Sequence, residues 1–265
     1  MKELRFGGFT VNVLKEKCPI HHVNLIQIKG HDPVCPKCQE DKTKSKEQKM
    51  VNAFKEESFR GYLKHDSLVD SPSEYDYTFS NFKANEGTKE ARVLDQAKHI
   101  AYYYIKYPSK QFATLFYGTP GEGKTHLAMA MLNGINENAK PLQRCLFVNV
   151  NSLFLKIRAS FNDSTALWTE DYAKRKLSES DVLVIDDLGS ESAMNSNGEA
   201  SNFVQRVLYE VTNKQKRIIT TTNLTMQQLR DTYNPKLVSR LMAGSDAVHS
   251  KIDFSGIKDK RGMIV

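Results

Sequence analysis

The run Phe112-Ala-Thr-Leu-Phe-Tyr-Gly118-Thr119-Pro120-Gly121-Glu122-Gly123-Lys124-Thr125-His126 constrains this chain more than any other. An apolar segment of strand character enters a glycine-rich turn ending in Gly-Lys-Thr, and the residues from Thr125 to Asn138 read as a helix. Glycine tolerates backbone angles closed to other residues. Successive N–H groups of such a turn can therefore curl inward at a helix N-terminus, where partial positive charge collects. The pattern is that of a phosphate-binding P-loop, in which residues 118–126 hold a nucleotide, Lys124 reaches the β- and γ-phosphates and the Thr125 hydroxyl takes a magnesium position. A glycine-rich surface turn before an ordinary helix is the competing reading, and the strand-loop-helix setting argues against it.

Helical and strand-like segments alternate from about residue 87 onward, which predicts an α/β fold with a parallel sheet flanked by helices. A helix is expected from about Glu90 to Tyr107, packing Val93, Leu94, Ala97, Ile100, Ala101, Tyr104 and Ile105 on the sheet, its aromatic members as core. The loop before it, Tyr77 to Phe82, is placed near an adenine. At 265 residues the chain has room for one substantial domain and a smaller one. The expected division is a small N-terminal domain at 1–48, a linker at 49–76 with a possible helix from Lys49 to Lys64, and an ATPase domain at 77–265. Asp66 to Asp76, rich in Ser, Asp and Pro, reads as irregular and mobile.

Asp181-Val-Leu-Val-Ile-Asp186-Asp187-Leu-Gly is an apolar run capped by carboxylates, as expected of a buried central strand ending at a nucleotide. Asp186 is read as holding hydrated Mg²⁺ and Asp187 as polarising the water that attacks the γ-phosphate. An ordinary acidic turn is the alternative. Arg217 to Asn223 supplies another strand, which would bring Asn223 to the γ-phosphate or the attacking water. Arg240, on a helix after Pro235, is either a surface arginine or an arginine finger for a neighbouring subunit's nucleotide.

Near the N-terminus, Cys18-Pro-Ile-His21 and Cys35-Pro-Lys-Cys38 form two ligand pairs with zinc-ribbon spacing. Such pairs complete a closed tetrahedron, which suits a structural zinc ion; His22 and His31 are alternatives to His21 as the fourth ligand. The alternatives are unliganded surface cysteines and a thiol redox pair at Cys35 and Cys38, which lacks a βαβ setting. Cys145 stands apart as a buried thiol. The N-terminus has no apolar signal core and no stretch is long enough to span a bilayer, so the expected location is cytoplasmic, with no membrane partner. The net charge of +7 suits contact with nucleic acid.

The order of GTPGEGKTH, VLVIDDLG, TTTN and SRL along the chain resembles that of the AAA+ ATPases, and specifically the DnaC/DnaI-type bacterial or phage-encoded helicase loaders. YTFSNF followed by a long helix is similar to the start of that family's ATPase domain, and the Cys/His knuckle to the zinc-binding N-terminal domain of the DnaI branch. The resemblance implies ATP or ADP, Mg²⁺ and Zn²⁺ as cofactors. It makes Lys124 and Thr125 the Walker A residues, Asp186 and Asp187 the Walker B pair, Asn223 sensor 1 and Arg240 a finger acting in trans. Asp187 departs from the usual glutamate, which implies slow hydrolysis. The chain stops soon after an expected last strand at Val248 to Phe254, which implies a reduced or absent lid and leaves a sensor 2 role for Arg261 in doubt. Implied partners are a hexameric replicative helicase, single-stranded DNA and further copies of the chain. The DNA contacts are expected within Asn151 to Lys176, from Lys156, Arg158, Lys174, Arg175 and Lys176 with Phe154, Phe161 and Trp168. Alternatives are an IstB-like transposition helper, a phage protein that captures and inhibits a helicase with ATP as a conformational switch, and, less favoured, a small-molecule P-loop kinase.

Overall fold

The computed structural model describes residues 2–6, 9–192 and 200–259. They fall into two compact units, Met1–Glu57 and Ser58–Val265. In the first, β1 (Lys2–Phe6), β2 (Phe9–Lys17) and β3 (Asn24–Ile28) form an antiparallel sheet in that order. Phe6 pairs with Phe9, and a bulge between Val13 and Lys17 bends β2 before the first cysteine. The helix α1 (Pro36–Asp66) starts with proline in its first turn, where the missing N–H is not needed, and runs across the division between the units. Residues 49–66, read as a linker from sequence, continue this same helix. Its side chains are largely charged and exposed, with i,i+4 pairs such as Glu40 and Lys44 at 2.7 Å supporting it locally.

The second unit holds a five-stranded parallel sheet formed by β4 (Thr114–Tyr117), β5 (Cys145–Asn149), β6 (Val182–Leu188), β7 (Ile218–Thr222) and β8 (Lys251–Asp253), in the order β5-β6-β7-β4-β8. Around it lie α2 (Lys89–Lys106), α3 (Lys124–Asn138), α4 (Val150–Ala159), α5 (Glu170–Glu179), α6 (Asn202–Lys214), α7 (Met226–Thr232) and α8 (Pro235–Leu241). Successive strand residues face opposite layers. Phe116, Phe147, Val184 and Ile219 join the core under α2 and α3, whereas their neighbours Leu115, Leu146, Leu183 and Ile218 join the core under α4 to α8. The strands are buried on both faces, which is why they read as continuous apolar runs. The helix α3 buries Leu127 to Leu132 without interruption, as a helix enclosed by its surroundings must.

The segment before α2 is packed down, against the expectation of mobility for Asp66 to Asp76. Leu68 bonds both ways to the outer edge of β5, donating to Phe147 O and accepting from Asn149 N at 2.8 Å each. A 3-10 turn at Pro72–Asp76 follows, with Ser71 as its N-cap. Asn133 of α3 then donates to Tyr75 O (3.0 Å) and Tyr77 O (2.8 Å), holding the segment over the sheet. Among the described residues no helix is long and apolar enough to cross a membrane.

Candidate functional site

The turn after β4 has the backbone its glycines permit. Gly118, Gly121 and Gly123 have φ of 147°, 84° and 91°, and Gly123 caps α3. At Gly123 a Cβ would sit 2.7 Å from Phe82 Cε2, so the loop and the wall beside it meet only with glycine there. Lys124 Nζ donates to Gly118 O at 3.0 Å and Thr119 O at 2.6 Å, placing its ammonium within the loop. Glu122 folds back and is buried: its Oε1 accepts from Thr119 Oγ1 at 2.6 Å and from Gly256 N at 3.1 Å.

At the carboxyl end of β6, Asp186 is buried, with Oδ2 accepting from Thr125 Oγ1 at 3.3 Å and Oδ1 from Thr221 Oγ1 at 2.7 Å. Burial pushes its carboxyl up to about 7, while the Thr221 and Thr125 hydroxyls pull the other way. A hydroxyl and a carboxylate side by side are hard oxygen donors that fit Mg²⁺, whose charge would favour the ionised acid. Asp187 has φ 56°; its N–H bonds Thr221 Oγ1 at 2.9 Å and its Oδ1 accepts from Asn223 Nδ2 at 2.7 Å. Lys124, Thr125, Asp186, Asp187 and Asn223 therefore line one cleft of about 850 Å³.

Further lining residues escaped the reading of the sequence. Thr221, inside an apolar-looking strand, orders both carboxylate residues of β6. Asp70, Glu74 and Asn149 also line the cleft. Asn149 Nδ2 donates to Asp70 Oδ2 at 2.9 Å. Burial first, then the charge of Asp70, raises the carboxyl of Glu74, and Glu74 in turn adds to the upward push on Asp186. No local pattern marks these residues, because the return of Leu68 along β5 is what carries them in. The loop from Tyr77 to Phe82 packs against His126 at the start of α3. Tyr77 stacks on His126 with centroids 4.4 Å apart and planes 8° from parallel, His126 Nε2 meets Thr78 O at 3.0 Å, and Phe82 packs edge-on to His126 at 5.3 Å. Tyr77, Asn81 and Phe82 line the same cleft.

Arg240 stands apart from this cleft. Its Nε donates to Asn213 Oδ1 at 2.7 Å, Nη2 to Tyr209 OH at 3.1 Å and Nη1 to Lys236 O at 3.0 Å, with the guanidinium 4.2 Å above the Tyr209 ring. Arg261 lies outside the described residues. The stretch expected to contact DNA is only partly available. Phe154 is buried in the core, Lys174 is paired with Glu170, Asp171 and Glu210, and Lys176 with Asp66 at 2.7 Å. Trp168 packs edge-on to Tyr172 at 5.4 Å. Lys174, Lys176 and Trp168 serve the packing of α5, while Phe154 is buried edge-on to Phe203 of α6, which corrects the expectation for Phe154 as a base-stacking residue. Lys156, Arg158, Arg175 and Phe161 are exposed.

In the N-terminal unit the Sγ atoms of Cys18, Cys35 and Cys38 and a ring nitrogen of His21 lie within 4.8 Å of one another. Cys18 and Cys38 Sγ are 3.7 Å apart, and His21 Nδ1 is 3.9, 3.7 and 3.3 Å from Cys18, Cys35 and Cys38. Zn–S and Zn–N bonds of about 2.3 and 2.0 Å give tetrahedral edges of about 3.5–3.8 Å, so the group fits zinc. His21 is the histidine of the cluster; its Nε2 meets Asp41 Oδ2 at 2.9 Å, the outer partner that fixes a ligating ring. The His21 backbone N–H draws the Cys18 thiol down to about 6, while burial and the neighbouring thiols push Cys38 up to about 11, an opposition that a divalent cation relieves.

A family model of the bacterial DnaA ATPase domain matches residues 74–247. The replicative helicase loader DnaC of Buchnera aphidicola subsp. Baizongia pistaciae is 33% identical over 115 residues, 43% of this chain and 43% of its own. The chromosomal replication initiator protein DnaA of Thermosipho africanus is 28% identical over 67% of this chain and 37% of its own, so the chain spans about two-fifths of the length of these curated relatives. The solved structure of DnaI covers 71% of this chain and 95% of its own at a TM-score of 0.51 and 19% identity, a likeness of fold. The P-loop, the acidic strand end and the polar end of β7 lie within the matched span. The chain thus belongs to the bacterial DnaA ATPase-domain family, an AAA+ ATPase with helicase loaders of the DnaC type among its relatives.

Proposed function

We propose that this protein is an ATP-dependent loader of a hexameric replicative helicase, assembling with copies of itself and with single-stranded DNA at the start of replication in the cytoplasm. The observation that carries the reading is the convergence of Lys124, Thr125, Asp186, Asp187 and Asn223 on one cleft while Arg240 is held outside it. Lys124 and the loop N–H groups neutralise the nucleotide's phosphates, Thr125 and Asp186 hold Mg²⁺, and Asp187 with Asn223 orders the attacking water. Magnesium supplies charge neutralisation at the phosphates when bound. Arg240 lies outside the protein's own cleft, held by Asn213, Lys236 and Tyr209, and would act as a finger for a neighbour by exchanging these bonds for a phosphate. Zinc, when bound, ties Cys18, His21, Cys35 and Cys38 into the module that grips the helicase.

The test mixes the purified chain with hexameric replicative helicases, with and without ATP and Zn²⁺, and follows transfer of helicase onto circular single-stranded DNA. ATP-dependent transfer is expected. Lys124→Ala and Arg240→Ala proteins should each fail alone but recover ATPase activity when mixed, because one supplies the finger and the other the cleft. Capture of a transposase instead of a helicase would favour the transposition helper. The hydrogen bond from Asn223 to Asp187 favours one second reading, a helicase-binding inhibitor that uses ATP as a conformational switch; tight helicase capture with no turnover would support it over the loader.

A further inference from the structure

One face of α2 brings aromatic rings and lysines together. Its inner side buries Val93, Ala97, Ile100, Ala101 and Tyr104. The other side exposes His99, Tyr102 and Lys106, with Lys110 in the turn beyond; Tyr103, which also packs against the core, and the C-cap Tyr107 lie half-buried beside them at helical spacing from His99. Tyr102 is 52% exposed, although a ring of that size gains from burial. His99 and Tyr103 have centroids 5.5 Å apart at 51°, and Tyr103 and Tyr107 5.1 Å apart at 49°. The rings are tilted rather than stacked face to face. Lys106 Nζ lies 5.3 Å from the Tyr102 centroid and 5.4 Å from that of Tyr107, and Lys110 Nζ lies 4.6 Å from Tyr107. The sequence has no Asp or Glu between Asp95 and Glu122, and among the described residues neither lysine joins an ion pair.

We infer that this face of α2 is a binding surface for single-stranded nucleic acid, distinct from the exposed basic residues of α4. Aromatic faces beside cations that lack carboxylate partners suit a strand whose bases are unpaired: a base lies on a tyrosine, and the displaced ammonium moves to a phosphate. The row from His99 to Tyr107 spans about 12 Å at the helical rise, room for about three to four nucleotides of a stacked strand. Beyond Tyr107, Pro108 and Ser109 line a groove that also holds Lys214 and Lys216 together with Asp181. Duplex nucleic acid offers phosphates there but no base faces. The inference deepens the strand-binding part of the proposed function and rests on that part alone.

The test is fluorescence anisotropy of a labelled oligo-dT, titrated with the full chain plus Mg-ATP over a range of KCl, alongside oligo-rU and a duplex of equal length. Each of Tyr102→Ala and Tyr107→Ala should weaken binding about tenfold, whereas Tyr102→Phe and Tyr107→Phe should keep it, since the ring does the stacking. Lys106→Ala with Lys110→Ala should reduce the slope of log affinity against log salt by about 1.4, near 0.7 for each phosphate no longer neutralised. Comparing oligo-dT with oligo-rU identifies the strand, and preference for either supports the surface. Wild-type binding by the alanine proteins, failure of the phenylalanine proteins, or duplex binding as tight as single-strand binding overturns it. If Lys156→Ala with Arg158→Ala abolishes binding while the α2 variants bind normally, this surface is refuted and the loader reading stands. If the wild-type chain binds no strand but captures helicase, both DNA assignments fall and the helicase assignment survives.

Discussion

Replacing Thr221 with valine removes one hydroxyl at nearly constant volume and tests how the cleft is ordered. Thr221 is buried, donates to Asp186 Oδ1 at 2.7 Å and accepts from the Asp187 N–H at 2.9 Å. A hydrogen bond to a charged group contributes about 1.5–3 kcal/mol, and a buried N–H left without an acceptor costs about 1–3 kcal/mol. Because the losses share one atom they are not fully additive, and we predict that Thr221→Val lowers stability by about 2–4 kcal/mol at pH 8. The deficit should shrink at pH 6, because a carboxyl already raised to about 7 is then mostly protonated and does not depend on accepting from Thr221. Thr221→Ser keeps the hydroxyl and should keep most of the stability. The assay is urea denaturation of nucleotide-free protein in EDTA at both pH values, with Mg-ATP affinity measured in parallel. A loss below about 0.5 kcal/mol at pH 8, within the range of an ordinary surface change, or an equal loss in the serine protein, would falsify this account of the cleft.

Other outcomes follow from the same geometry. The carboxyl of Asp186 is raised above its unfolded value, so its contribution to stability is fully present below about 4 and is lost as pH rises through about 7. Denaturation midpoints in EDTA should therefore fall between pH 5.5 and 8, and Asp186→Asn should flatten that fall; an unchanged slope in the variant refutes it. Stripping zinc with a strong chelator should abolish helicase capture and lower the ordered content of the N-terminal unit, while ATPase activity survives; loss of both together would contradict two separate units. Gly123→Ala should abolish nucleotide binding, because φ is 91° and the new Cβ meets Phe82 at 2.7 Å. Gly256→Ala, with φ 85° and open space, should cost only about 1–2 kcal/mol in a melt and leave binding intact. Asp187→Glu should lose about 1 kcal/mol of stability, since a longer side chain is worse suited to φ 56°; greater stability in the glutamate protein would oppose that.

The sheet strands of the ATPase unit were legible because a parallel strand buried on both faces must be apolar throughout, and Val182 to Ile185 cannot be otherwise. The P-loop was legible because its glycines and lysine serve one geometry. Thr221 was not, because a hydroxyl inside a buried strand looks like strand propensity until its partners on β6 are known. Nor were Asp70 and Glu74, whose place in the cleft depends on pairing between Leu68 and β5, far away in sequence. The basic residues of α5 misled for the opposite reason. Composition counts Lys174 as a cation, whereas its surroundings assign it to Glu170, Asp171 and Glu210. The exposed residues of α2 drew no reading, because helical periodicity marks the buried stripe through Tyr104 and leaves the positions between its members unassigned.

The aspartate at 187 has its physical reason in the backbone. Between Ile185 and Leu188 the register of β6 against β7 shifts, and Asp187 falls within that irregular stretch at φ 56°. Among residues with a side-chain carboxylate, aspartate tolerates the left-handed region best, because its short chain bonds locally instead of crowding the next carbonyl. The shift also turns the Asp187 N–H toward the side chain of Thr221, leaving Oδ1 to Asn223. A longer acid in regular strand geometry would reach toward the phosphates by side-chain length. Here the bend in the strand redirects the residue, and the shorter acid is the one that fits the bend. The residue that resembles a weakened catalytic base is thus also the one this backbone accommodates with least strain. Its pairing with Asn223 links the end of β6 to the end of β7.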